Sequence, residues 1–300
     1  MASIGDRISA LKKEKNAVIL AHNYTSPEVQ DLADYVGDSL GLSKIAASTD
    51  ADIIVFAGVS FMGETAKILS PQKKVLLPEP EAKCAMAAMC SSEQIRQMKE
   101  RYPGATVVGY VNTDADSKTE MDCCCTSSNA VNVVSSLESD RIIFLPDSNL
   151  GRYVAEKTGK EIVLWHGFCP THQCITVRKL NAVREAHPDA VVVAHPECRM
   201  EVLIEAAYVG STEGILQYCK KSDADEFIVL TECGMGHRLE AACPGKRFYF
   251  TDQSVCTTMK MITPESVYDC LLNETGEIVL SEEVIRKAYA PVKRMTDITG

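Results

Sequence analysis

The 300-residue chain has no apolar run near the roughly 20 residues of a membrane span, no Cys-x-x-Cys, no Walker sequence and no run of Lys and Arg. Its nearest approach to a dinucleotide fingerprint, GVSFMGE at 58–64, is not G-x-G-x-x-G. Each absence closes a class. A membrane protein, a zinc ribbon, a thioredoxin-like redox site and a nucleotide-cofactor enzyme all lose their usual signatures. A net charge of −10 without a basic patch argues against a nucleic-acid binder. The first twenty residues, MASIGDRISALKKEKNAVIL, show no secretory h-region or cleavage site, so the expected location is cytoplasmic.

Cysteine, by contrast, is abundant. Thirteen is an odd number in a chain without a secretion signal, so a disulfide framework is not expected. The run Cys123-Cys124-Cys125 falls in a predicted short strand. Neighbours there point to opposite faces, so core packing is the expected role rather than chelation of one ion.

The strongest pattern is an internal repeat. His22-Asn23-Tyr24, Tyr110-Val111-Asn112 and His195-Pro196-Glu197 begin 88 and 85 positions apart. A hydroxyl residue follows each by 17 positions, at Ser39, Ser127 and Thr212. A cysteine comes 42 to 45 residues later, at Cys84, Cys169 and Cys256. The expected segments are 1–88, 89–173 and 174–276, with 277–300 adding a strand and helix to the first. Each copy reads as strand, helix, short strand, helix, strand, helix, strand. The first places strands at Ala17–Ala21, Ile53–Phe56 and Val75–Leu77, and helices at Glu28–Tyr35, from Ser39 and at Met62–Leu69. The second has Val107–Gly109, Ile142–Leu145 and Ile162–Trp165 as strands. The third has Val191–Ala194, Phe227–Leu230 and Phe248–Phe250. Such alternation predicts an α/β fold of three αβα sandwiches with small parallel sheets, related by a pseudo-threefold axis.

In parallel sheets ligands sit beyond the carboxyl ends of the strands, where the three tripeptides fall. Their outer members, two residues apart, share one side of an extended segment. His22 with Tyr24, Tyr110 with Asn112, and His195 with Glu197 are therefore expected in one crevice. Ser39, Ser127 and Thr212 mark strand-to-helix transitions. N-capping is their ordinary role, and without excluding it they are also expected at helix ends that hold anions. Three cysteines at matched loops point to a thiolate metal centre, zinc or iron–sulfur, with a fourth position open to substrate. His172, three residues past Cys169, is a ligand, a supporting donor or a substrate contact; spacing leaves all three open.

These segments resemble quinolinate synthase, the A protein of NAD biosynthesis. The match runs through AHNY (21–24), GDS (37–39), YVN (110–112), TSSNA (126–130), CPTHQ (169–173), HPEC (195–198), GST (210–212) and SVCTTMK (254–260). Ser128 stands where an alanine is common. The resemblance implies a 4Fe–4S cluster on Cys84, Cys169 and Cys256 with one iron open. It also implies condensation of iminoaspartate (iminosuccinate) with dihydroxyacetone phosphate to quinolinate, phosphate and two waters, in which the cluster assists dehydration as a Lewis acid. Tyr24 and Glu197 are the acid–base candidates. His22, Ser39, Tyr110, Val111, Asn112, Ser127, His195, Pro196, Glu197 and Thr212 would position substrate. Iminoaspartate would come from an aspartate oxidase or dehydrogenase. Two rival readings are a diphthamide-synthase-like threefold iron–sulfur enzyme and a non-catalytic iron–sulfur or phosphometabolite sensor.

Overall fold

The computed structural model describes residues 2–298. The first unit comprises α1 (Ile4–Glu14), β1 (Ala17–His22), α2 (Pro27–Leu32), β2 (Tyr35–Gly37), α3 (Ser39–Ser48), β3 (Ile53–Ala57), α4 (Ser60–Leu69) and β4 (Lys74–Leu76). The second comprises α5 (Ser92–Arg101), β5 (Thr106–Tyr110), α6 (Ala115–Lys118), β6 (Cys123–Cys125), α7 (Ala130–Ser135), β7 (Arg141–Leu145), α8 (Ser148–Thr158) and β8 (Glu161–Leu164). A short α9 (Pro170–Gln173) leads to the third: α10 (Val177–Ala186), β9 (Val191–Ala194), α11 (Met200–Leu203), β10 (Tyr208–Val209), α12 (Thr212–Lys221), β11 (Glu226–Leu230), α13 (Met235–Ala242) and β12 (Arg247–Tyr249). Then come α14 (Pro264–Asn273) and α15 (Glu282–Asp297).

Three parallel four-stranded sheets result, ordered β2-β1-β3-β4, β6-β5-β7-β8 and β10-β9-β11-β12. Each has its unit's second strand outermost and its first and third in the middle. The central strands read as continuous apolar runs because both faces are covered. Ile19, Leu20, Ile54, Val55, Val107, Val108, Ile142, Ile143, Val193 and Val229 are fully or almost fully buried. Phe56 and Phe144 occupy the same place in β3 and β7 and are among the largest buried side chains. Cys123, Cys124 and Cys125 form the edge strand β6, all buried.

Three local expectations shift. The helix expected over Glu28–Tyr35 stops at Leu32, and Tyr35 begins β2. The cause is Asp34, whose carboxylate accepts the Ile19 N–H at 2.8 Å and pulls the chain back onto β1. Asp122 does the same in the second unit, accepting the Val107 N–H at 2.8 Å. The chain before residue 276 also leaves the third unit early, since α14 packs on α1, α2 and β3 of the first. Beyond it, no regular strand forms: Glu277 makes a single antiparallel bridge to Leu76, and the Ile278 N–H reaches Val75 O at 2.9 Å. Gly276, at φ +73°, permits this approach, because a Cβ there would strike Leu77 O. The last helix, α15, lies across α3 and α4 of the first unit and α6 and β6 of the second. Residues 299 and 300 lie outside the described residues.

Candidate active site

Beyond the carboxyl ends of the three sheets lies one cleft, with a cavity of about 140 Å³. It is lined by His22, Tyr24, Ser39, Tyr110, Asn112, Ser127, His195, Glu197 and Thr212, with Cys84, Cys169, His172 and Cys256. Val111 and Pro196, the middle residues of two tripeptides, are buried and do not line it. That follows from alternation: the outer members face the cleft and the middle one faces the protein.

Contacts run cyclically from each unit to the tripeptide loop of the next. From the first unit, Glu64 Oε2 on α4 accepts the Ala115 N–H of the second at 2.7 Å. From the second, Asn149 Nδ2 at the start of α8 donates to Glu197 O of the third at 3.1 Å. The third unit closes the ring onto the first. There Gly234 O accepts from Gln30 Nε2 at 3.0 Å, and Lys260 Nζ donates to Tyr24 O at 2.6 Å. Asn23 Nδ2 also donates to Thr212 Oγ1 at 2.7 Å.

The helix caps do not use these hydroxyls. Ser39 and Thr212 are the first residues of α3 and α12, not their caps. Asp38 and Ser211 cap instead, accepting Gly41 N–H at 2.8 Å and Gly214 N–H at 3.1 Å. Ser127 sits two residues ahead of Asn129, the N-cap of α7, and its Oγ lies 3.1 Å from His195 Nε2.

Both tripeptide histidines have fixed tautomers. The Tyr24 N–H donates to His22 Nδ1 at 3.2 Å, and the Glu197 N–H to His195 Nδ1 at 3.3 Å. An accepting Nδ1 leaves the ring proton on Nε2, so each ring offers a donor. Burial pushes both down to a pKa of about 3, more than the nearby Glu197 carboxylate raises them, so both are neutral at pH 7. Among the described residues, no Lys or Arg lines the cleft. The donors it offers to an anion are the ends of α3 and α12, the hydroxyls and these ring N–H groups, and the charges of Arg238 and Lys260 reach His22 from outside the lining.

A chain of polar contacts links Tyr24 to Tyr110. Tyr24 Oη lies 2.7 Å from Thr231 Oγ1, which lies 2.9 Å from His172 Nε2. His172 Nδ1 is 2.8 Å from Glu197 Oε2, and Tyr110 Oη donates to Glu197 Oε1 at 2.5 Å. Tyr24 and Glu197 are thus joined through Thr231 and His172. Burial, with the adjacent Glu197 charge, raises the Tyr24 phenol well above its ordinary range. Burial also raises the Glu197 carboxyl, but His172 and His195 beside it outweigh that and hold it below the usual carboxylate range. The phenol keeps its proton and the carboxyl loses its own.

The sequence from 6 to 297 matches the family described as Quinolinate synthetase A protein. The quinolinate synthase of Alkaliphilus metalliredigens is 50% identical over 295 residues, covering 98% of this chain and 97% of that protein. That of Methanoregula boonei is also 50% identical over 295 residues, covering 98% of each. That of Aquifex aeolicus is 48% identical over 299 residues, covering 97% and 93%. The chain belongs to the quinolinate synthetase A family.

In this member of the family the three cysteines share the cleft but are not clustered tightly enough for one ion. Two thiolates on a single zinc lie within about 4.6 Å, twice the 2.3 Å Zn–S bond. Among the described residues, the one set of three His, Cys, Asp or Glu ligand atoms within 4.8 Å of one another is Cys169, His172 and Glu197. Cys84, Cys169 and Cys256 form no such set. Burial raises the thiols of Cys84, to about 12, and of Cys169. A bound metal would have to displace their protons.

Several site residues escaped the sequence reading. Thr231 bridges Tyr24 and His172. Asp147 and Glu232 stand two residues past β7 and β11, and each carboxylate accepts the backbone N–H of a cleft cysteine. Cys169 N reaches Asp147 Oδ2 at 3.2 Å, and Cys256 N reaches Glu232 Oε1 at 3.1 Å. The first unit has Val59 at that place, and its cysteine loop is tied by the Ser60 N–H to Ala82 O at 2.9 Å. Lys118, fully buried, donates to Val111 O at 2.9 Å and also to Thr113 O, steadying the loop that presents Asn112. A signal existed for Asp147 and Glu232: counted from the third strand of each unit, they sit at repeat-equivalent places. Lys118 gave no signal beyond its helical context.

Proposed function

We propose that this chain condenses iminoaspartate with dihydroxyacetone phosphate to quinolinate, phosphate and two waters. Membership of the family supports the product. The observation that carries the residue assignment is the polar chain from Tyr24 through Thr231 and His172 to Glu197. The reaction requires loss of phosphate, a ketone-to-aldehyde shift, ring closure and dehydration. A protonated phenol and an ionised carboxylate lining one cleft are the acid and base those proton transfers need. Thr231 and His172 return the proton between them.

Both substrates are anionic. His22 and His195 offer neutral N–H donors, and Ser39, Ser127 and Thr212 offer hydroxyls at helix ends. Together these hold carboxylate and phosphate oxygens without a charged side chain. Asn112 Oδ1, buried and without a hydrogen-bond partner, is an acceptor left for substrate. Cys84, Cys169 and Cys256 would hold a 4Fe–4S cluster, which fits their shared wall and wide spacing. When bound it would supply a Lewis-acidic iron for the final dehydration. Delivery of iminoaspartate by an aspartate oxidase or dehydrogenase belongs to the same proposal.

The test is anaerobic reconstitution with iron and sulfide, followed by assay with freshly generated iminoaspartate and dihydroxyacetone phosphate. Quinolinate and phosphate in equal amounts are expected. A loaded chain that releases no quinolinate would overturn the assignment.

A further inference from the structure

The tight set of Cys169, His172 and Glu197 is built differently from the wide cysteine triangle. Cys169 precedes α9 and His172 lies one helical turn on, so their side chains share a face. His172 Nδ1 lies 3.1 Å from Cys169 Sγ and 2.8 Å from Glu197 Oε2, and all the ligand atoms lie within 4.8 Å of one another. The other polar atom of each side chain is turned away and held. His172 Nε2 meets Thr231 Oγ1 at 2.9 Å, and Glu197 Oε1 accepts from Tyr110 at 2.5 Å. The backbones are held as well, through Asp147 at Cys169 and Asn149 at Glu197. An imidazole whose far nitrogen is hydrogen-bonded, with its near nitrogen facing a thiol and a carboxylate oxygen, is the arrangement of a protein zinc ligand set. Three electron-rich atoms this close in a buried site need a proton or a cation between them.

We propose that the cluster-free chain binds one zinc ion through Cys169 Sγ, His172 Nδ1 and Glu197 Oε2, with the fourth position on water. The Cys169 thiol gives its proton to solvent as the ion enters, and the His172 ring proton facing Glu197 Oε2 is relocated to Nε2, which then donates to Thr231 Oγ1. Zinc and the cluster then exclude each other, because both need the Cys169 thiolate. This exclusion rests on the cluster reading above; the ion site does not. The chain would have two mutually exclusive metal states, and zinc would divert newly made protein from cluster assembly.

The test titrates zinc into the metal-free, reduced full chain against a chromophoric chelator. Cobalt is the spectroscopic probe, read by its thiolate charge-transfer band. One ion per chain is expected. Cys169→Ala and His172→Ala should weaken binding by more than about 100-fold, and loss of the supporting hydrogen bond in Thr231→Val by about 10-fold. Cys84→Ala and Cys256→Ala should bind zinc like the parent. Circular dichroism checks that each variant folds, and His172→Gln replaces His172→Ala if the smaller side chain unfolds the site. Zinc retained in folded His172 variants but lost in Cys84→Ala would overturn the proposal in favour of the cysteine triangle, and no zinc uptake by the folded parent would overturn it outright. For the exclusion, zinc-loaded parent should resist reconstitution while His172→Gln accepts the cluster with zinc present. A zinc-free parent that never forms a cluster would remove the exclusion and the cluster reading, but not the ion site.

Discussion

Tyr110 Oη donates to Glu197 Oε1 at 2.5 Å, joining the end of β5 in the second unit to the loop after β9 in the third. With His172 on its other oxygen, Glu197 is held on both sides by groups from the second unit. The carboxylate is therefore oriented before any ligand arrives.

Glu197→Gln and Tyr24→Phe separate chemistry from binding. Each should lower turnover by at least the roughly 10²-fold typical of losing a general acid or base, while quinolinate binding is kept. Tyr110→Phe should cost about 1.5–3 kcal/mol of stability, the worth of a hydrogen bond to a charged group. Anaerobic kinetics and denaturant titrations on the same preparations give both numbers. Parent-like turnover in both of the first two variants would remove the acid–base assignment.

Cysteine replacements sort by position. Cys84→Ala, Cys169→Ala and Cys256→Ala should each lose bound iron on reconstitution and quinolinate formation with it. Cys124, Cys219 and Cys270 are buried in apolar surroundings, and their alanine variants should keep both. Near-normal iron and activity in any of the first three would take that residue out of the ligand set.

Glu232→Gln tests how a cysteine loop is held. Its oxygens accept the Cys256 N–H and, at 2.7 Å, the Gly234 N–H, and Lys260 Nζ lies 3.0 Å from Oε1. An amide cannot accept at both ends, so one backbone N–H is left unpaired at about 1–3 kcal/mol. Faster amide hydrogen exchange over residues 251–260 in metal-free protein is the expected signature. Unchanged exchange there would mean the loop is held without Glu232.

Acid should destabilise the fold through its buried histidines. With folded pKa values of about 3 for His22 and His195 against about 6.5 unfolded, the unfolded chain binds more protons between those limits. Their contribution is present above pH 6.5 and lost as pH falls toward 3. At pH 5 each accounts for about 2 kcal/mol. Urea unfolding of metal-free protein at pH 7.5 and 5 should show that loss, and His22→Asn should reduce it by about 2 kcal/mol. An identical pH dependence in His22→Asn would show that His22 is already charged in the folded chain.

The repeated tripeptides, hydroxyls and cysteines were legible because each copy keeps a similar residue at a fixed distance from its first strand. The same regularity made the three parallel sheets legible. Asp147 and Glu232 were not, since the first unit has Val59 at their place, and Thr231 was not, since Gly58 and Pro146 stand at its place in the other units. The end of α2 was missed because Asp34 acts through a backbone N–H on another strand, which no local propensity encodes. The packing of α14 and α15 was hidden for a related reason: both are ordinary amphipathic helices, and only the assembled units show which surfaces remain to be covered. His172 stayed ambiguous in sequence because its role depends on Glu197 and Thr231, 25 and 59 residues further along the chain.

The cleft wall with no Lys or Arg has a consequence for how ligands arrive. Fixed peptide dipoles and neutral ring N–H groups act at contact and are barely screened, whereas the field of the whole molecule, at −10, repels an approaching dianion over the Debye length of about 8 Å at physiological ionic strength. Adding salt weakens the repulsion and leaves the contacts largely intact. Capture of an anion should therefore be slower in dilute buffer and faster at moderate salt.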